Sequence, residues 1–296
     1  NIVYAVSVEK LIPRVILGVF KAQRNILLFW NHGGGPVDGF GKNEWGRDTE
    51  CLTLNEMTSA FESCDITFDI IGMDCCLMSS LETCYALYNY CDYTILSENF
   101  ESSIGWYYTN FINALCENTS IDSYQLGKLI VDDMVSKNAE DSENGGSGTL
   151  ALIDERYIPN LYRAWKNYAY ANESDLLHSN YSRTVKKSSR AKVNSMENYY
   201  VTDIMALASS LYSEESKPLI AQLKKAIAYY DCTENCQGLT GMSITLPYND
   251  RAYYYNLKKI FIECGFDKGY ITWLYKFVTD ANNAKQYSFT EFDETW

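Results

Sequence analysis

Histidine is nearly absent from this sequence: among 296 residues there are two, His32 and His178. A zinc site on Cys232-x-x-x-Cys236, the paired cysteine spacing away from the centre of the chain, would need two more ligands, and neither histidine is near in sequence. Two free thiols or a disulfide are the expectation there. No apolar run is long enough to span a bilayer. Basic residues are outnumbered, 25 against 38 acidic, which leaves a net charge of −13 and argues against duplex nucleic acid as a partner. The ten cysteines are scattered through apolar stretches and lack the short spacings of a disulfide framework. A Cys-x-x-Cys redox motif is missing. There is no internal repeat, no opening signal peptide and no initial Met, so the chain reads as a fragment or a processed form.

What is present is alternation of strands and helices. Leu11, Ile12, Val15, Ile16, Val19 and Phe20 have helical spacing within 9–22. Asn25–Asn31 reads as a buried strand, and a Gly-rich loop over 33–48 follows. Thr53-x-x-Glu56 is a capping box opening a helix. Phe68–Gly72 is a second buried strand leading to a helix over 79–90, and 93–97 is a third, with a loop over 98–108. A helix over 122–137, a flexible break over 141–148 and a strand over 149–154 come next. Beyond a helix starting near 157–159 lies a polar, basic stretch over 176–198, read as a solvated excursion. Helices over 203–213 and 217–230, a strand over 241–247 and amphipathic segments over 257–264 and 271–278 complete the reading. The 25 tyrosines fit half-buried aromatic faces. The pattern predicts an α/β fold with a mostly parallel sheet and helices on both faces. Residues 1–155 would form a catalytic core, and 156–296 a smaller helical region completing the sheet.

The chemistry concentrates at two strand exits, where α/β sheets place their sites. His32 leaves one strand and enters Gly33-Gly34-Gly35, whose backbone freedom permits close approach to a ligand and a free N–H aimed at an oxyanion. Asp74-Cys75-Cys76 leaves the other. A thiol and an imidazole at neighbouring strand ends is the layout of a nucleophile pair. His32 precedes Cys76 by 44 residues, close to the caspase spacing. If the segment stays extended, Cys75 and Cys76 point opposite ways and only one lines the site. Chemistry alone leaves the choice open.

The segments Leu-Leu-Phe-Trp-Asn-His-Gly-Gly-Gly (27–35) and Ile-Gly-Met-Asp-Cys-Cys-Leu-Met (71–78) resemble the clostripain family of cysteine peptidases, in the clan of caspases, legumain and gingipains. Ser97-Glu98 followed by Gly105-Trp106, and the late strand over 238–247, resemble it too. The resemblance implies a caspase-like αβα sandwich. It makes Cys76 the nucleophile, with Cys75 at a position the family fills with Ala, and His32 its partner. Gly33 and Cys76 would supply oxyanion N–H groups. It further implies cleavage after Arg or Lys. Asp74 would recognise the basic side chain, with Glu98 or Glu101 as a second acidic wall. Self-activation would cut after Arg47, or after Lys42, in the 33–48 loop. Partners would be peptides or proteins with basic residues. Family members are often bacterial secreted or cell-surface proteins, and sometimes calcium-dependent. No Asp/Asn-rich calcium loop stands out, so the expectation is no cofactor, with calcium left open. The rival readings are a catalytically inactive caspase-like interaction module and a redox protein using Cys75 and Cys76.

Overall fold

Strands β2 (Asn25–Trp30), β3 (Phe68–Asp74) and β4 (Cys91–Leu96) lie side by side and parallel, and β1 (Ile2–Val6) joins β2, also parallel. β5 (Thr149–Asp154) and β7 (Ile227–Cys232) extend the sheet antiparallel, in the order β1-β2-β3-β4-β5-β7. The computed structural model describes residues 2–6, 22–41, 51–63, 66–140, 146–177, 200–247 and 250–279. The helix expected over 9–22, residues Lys42 and Arg47, most of the 141–148 break and the basic stretch with His178 fall outside the described residues.

The strands are apolar on both faces, as a sheet covered on both sides requires. Leu27 and Phe29 of β2, Ile71 and Met73 of β3, and Ala151 and Ile153 of β5 enter one core. The alternate residues Ile26, Leu28, Ile70, Leu150 and Leu152 enter another. The second core is closed by α4 (Tyr108–Glu117) and α5 (Ser123–Glu140) through Phe111, Leu115, Leu126, Ile130 and Met134. The first is closed by the remaining larger helices. These include α2 (Leu54–Glu62), α3 (Leu81–Leu87), α6 (Ile158–Ala171), α9 (Ser216–Ala226), α10 (Arg251–Glu263) and α11 (Lys268–Thr279). The smaller helices are α1 (Gly35–Asp38), α7 (Glu173–Leu177) and α8 (Ile204–Ser210). The architecture is the mostly parallel, helix-flanked sheet expected from the sequence.

The capping box is real: the Thr53 N–H donates to Glu56 Oε2 at 2.9 Å and its hydroxyl to the same oxygen at 2.7 Å. One expected element changes type. The helix expected over 217–230 ends at Ala226, and Ile227-Ala-Tyr-Tyr-Asp-Cys is a strand. Its β-branched and aromatic residues suit a strand, and pairing with β5 decides the matter. Asp74 belongs to β3 itself, two residues beyond the expected end.

A short ribbon of β6 (Val201–Asp203) and β8 (Ser243–Thr245) clamps the turn after β3. The Ser243 N–H donates to the Ser79 carbonyl at 2.9 Å, and the Thr245 N–H to Glu82 Oε1 at 2.9 Å. The Ser79 hydroxyl donates to the Gly241 carbonyl at 2.5 Å. The C-terminal half of the chain therefore holds the turn in place.

Candidate active site

The parallel register of β2 and β3 sets Trp30 opposite Asp74, an offset of 44 residues. His32 and Cys76 have the same offset, so continuing the register past the strand ends sets the two catalytic candidates level. The two strand exits touch one residue further on, through the backbones of Gly33 and Cys76. A Cβ placed on Gly33 would lie 2.1 Å from the Cys76 carbonyl oxygen and 3.0 Å from Cys75 Sγ. Only glycine allows this approach.

Gly33 also forms an isolated antiparallel bridge with Phe40. That bridge is held by Gly34 N–H to the Gly39 carbonyl at 2.8 Å and Gly41 N–H to the His32 carbonyl at 2.7 Å. The amide of Gly33 itself takes no part in it, as in the non-hydrogen-bonded pairs of a ladder. His32 is solvent-exposed, and its N–H donates to Asn31 Oδ1 at 2.6 Å. The stems of the following loop are pinned by paired bonds between Phe40 and Leu52, at 2.9 and 2.7 Å.

β3 ends at Asp74, so the two cysteines do not continue the strand, and burial separates the thiols in the turn beyond it. Cys75 is 3% exposed and lies in the core with Met73 and Met78, where burial drives its pKa far up. Cys76 is half-buried, and the backbone N–H of Glu101 donates to its Sγ at 3.3 Å. Burial raises the Cys76 pKa. The Glu101 N–H works against that, and the carboxylates of Glu101 and Asp74 add to it. Leu77, next in the chain, has φ of 65°, and its N–H donates to the Asn99 carbonyl at 3.0 Å. A buried leucine in the left-handed region is strained, and the surrounding structure must hold it there.

Asp74 and Glu101 are brought together. Asp74 is 3% exposed, and its Oδ2 accepts from the Trp106 N–H at 3.2 Å and the Tyr108 hydroxyl at 2.9 Å. Trp106 Nε1 donates to Glu101 Oε1 at 3.4 Å. The two carboxyl groups hydrogen-bond each other, and burial followed by mutual repulsion pushes Glu101 well above the usual carboxylate range. Asp74 is raised by burial, while Trp106, Glu101 and Tyr108 pull it back. Both carboxyl groups are thus held above the usual carboxylate range, and their titration belongs to the pair rather than to either residue. Glu98 lies elsewhere: it is 2% exposed and its Oε2 accepts from the Gly241 N–H at 2.8 Å. It ties the segment leading into the clamp ribbon to the β4 exit. No motif signal marked Tyr108 as a partner of Asp74 or the Trp106 indole as a partner of Glu101.

The described cysteines are all free, including Cys232 and Cys236. No described helix is long and apolar enough to cross a membrane.

The sequence model of the clostripain family matches residues 5–296. No curated protein matches the chain significantly. Among solved structures, a secreted C11 cysteine protease from Bacteroides thetaiotaomicron, in complex with an irreversible peptide inhibitor, is similar. It is 16% identical, covers 84% of this chain and 74% of its own, and has a TM-score of 0.61. An inactive zymogen C11 protease from Parabacteroides distasonis is 17% identical over 85% of this chain and 73% of its own, with a TM-score of 0.57. A clostripain from Bacteroides thetaiotaomicron, in complex with a peptide inhibitor, is 18% identical over 71% of this chain and 97% of its own, with a TM-score of 0.51. At these identities the likeness speaks for the fold, which is caspase-like. With the family model matching nearly its whole length, the chain belongs to the clostripain family, and its enzyme class is that of a cysteine-type peptidase.

Proposed function

We propose that this chain is an endopeptidase that cleaves after Arg or Lys, with Cys76 as nucleophile and His32 as general base and acid. The observation that carries this reading is the Asp74–Glu101 carboxyl pair beside the half-buried thiol. A basic side chain entering there would displace the shared proton and pair with two carboxylates, whereas an acidic side chain would be repelled. Cys76 Sγ, losing its proton to His32, attacks the scissile carbonyl. The oxyanion is held by the N–H groups of Gly33 and Cys76. His32 then protonates the leaving amine, and the thioester remains. Water, deprotonated by His32, attacks the thioester and releases the new carboxyl terminus and the thiol. Glu101 carries the second acidic wall; Glu98 is assigned a tethering role. The peptide inhibitor held by the Bacteroides thetaiotaomicron clostripain, VLTK, ends in lysine, which supports a basic preference here.

Self-cleavage after Arg47 or Lys42 belongs to the same proposal, and an inactive zymogen form among the similar structures supports it. The Phe40–Leu52 pairing would keep both new ends together after the cut. Secretion is proposed on the description of one similar structure as secreted. The test is hydrolysis of matched peptides with Arg, Lys, Glu or Leu before the cleaved bond, beside Cys76→Ala, with new N-termini mapped by mass spectrometry. Thiol-dependent cleavage confined to Arg and Lys peptides is expected. Its absence would return the chain to the reading of a non-catalytic interaction module.

A further inference from the structure

Trp30 is 69% exposed, the most exposed large apolar side chain among the described residues. It ends β2 two residues before His32 and is the in-register partner of Asp74. Neighbouring strands lie about 4.8 Å apart, and residues paired in register leave the sheet on the same face. The pair preceding them on that face is Leu28 and Gly72. A Cβ on Gly72 would lie 2.7 Å from Leu28 Cδ2 and 2.8 Å from the ring of Trp106. This face therefore carries Trp106, the residue that donates to both Asp74 and Glu101. The Asp74 carboxylate sits at the floor while the Trp30 indole rises from the adjacent strand into solvent.

An indole uncovered by the protein costs water contact and contributes no core packing. It offers a flat, electron-rich face beside a buried anionic floor. That pairing suits a planar, weakly hydrated cation better than a compact, strongly hydrated one. Trp is the strongest cation–π partner, and guanidinium stacks where ammonium does not.

We infer that Trp30 is a specificity-determining residue of the acidic pocket, forming the wall on which an arginine guanidinium stacks and so favouring arginine over lysine before the cleaved bond. This rests on the proposed basic specificity.

The experiment compares wild type, Trp30→Leu and Trp30→Phe on three peptides that differ only in Arg, Lys or citrulline before the scissile bond. Active enzyme is counted by titration with an irreversible thiol-directed inhibitor. Wild type is expected to prefer Arg to Lys. In Trp30→Leu the Arg-to-Lys ratio of kcat/KM should fall by about 5-fold or more, mostly through KM for Arg, and Trp30→Phe should restore part of it. A Leu variant that loses Arg and Lys turnover equally, or loses neither, overturns the assignment of Trp30 while leaving basic specificity intact. If Trp30→Leu yields no folded protein, an unchanged ratio in Trp30→Phe overturns it. A wild type that cleaves neither Arg nor Lys peptides defeats the underlying specificity, and Trp30's role with it.

Discussion

Gly33 and Cys76 touch through their backbones: the carbonyl oxygen of Cys76 occupies a point 2.1 Å from where a Gly33 Cβ would stand. The loop after His32 and the turn carrying the thiol thus form one packed unit. Gly33→Ala must push them apart, because the clash is with backbone and no flexible side chain can yield. A misplacement of about 1 Å at a reacting centre costs on the order of 100-fold in rate. The expected outcome is a loss of that order in kcat/KM with folded protein retained, checked by steady-state kinetics and circular dichroism.

The thiols should separate in labelling. Cys75 lies in the core and Cys76 on the accessible face. Iodoacetamide should modify Cys76 ahead of Cys75, and Cys75→Ala should leave both Cys76 labelling and turnover largely unchanged. Burial holds the Cys76 pKa above its ordinary value of 9.0. The alkylation rate of the free enzyme should therefore still be climbing as the pH passes 9, since the thiolate is the nucleophile. A rate that levels off near neutrality would contradict this.

If the acidic pair receives the basic side chain as proposed, substrate binding should depend on pH. Both carboxyl groups have raised pKa values, first through burial. Cation binding needs the ionised pair, so KM for an Arg peptide should rise as pH falls. That rise should begin above the pH where an ordinary carboxylate protonates. A citrulline peptide should show no such trend. Asp74→Asn should cost about 2–4 kcal/mol in kcat/KM for Arg peptides. An unchanged value would make the carboxylate structural.

Glu82 gives a stability signature independent of activity. It is fully buried, Oε1 accepts from the Thr245 N–H, and Oε2 has no hydrogen-bond partner. Burial raises its pKa from 4.5 to about 8. In the unfolded chain it ionises near 4.5, so between these values the folded state binds the extra proton. Its contribution to stability is full below pH 4.5 and is lost as pH rises toward 8. Glu82→Gln should gain on wild type over that window, by no more than about 1.4 kcal/mol per pH unit. Urea unfolding at pH 5 and pH 8 measures it. A constant difference would show that Glu82 stays ionised in the fold.

The strands read over 25–31 and 68–72, the capping box at Thr53 and Glu56, and the placing of His32 and a cysteine at neighbouring strand exits were legible in the sequence alone. Each is written in local periodicity or in side-chain chemistry at short spacing. The motif resemblance added the family and the choice of Cys76. Tertiary structure decided the rest. Whether Ile227-Ala-Tyr-Tyr continues a helix depends on the edge that β5 offers it. Glu98 and Glu101 are equivalent as letters, but the fold gives one to the Gly241 N–H and the other to Asp74. Leu77 adopts a positive φ that leucine does not prefer, held by Asn99 and the clamp ribbon. The register of two parallel strands set residues 44 apart in sequence level with each other, because every bond of that ladder joins residues far apart in the chain.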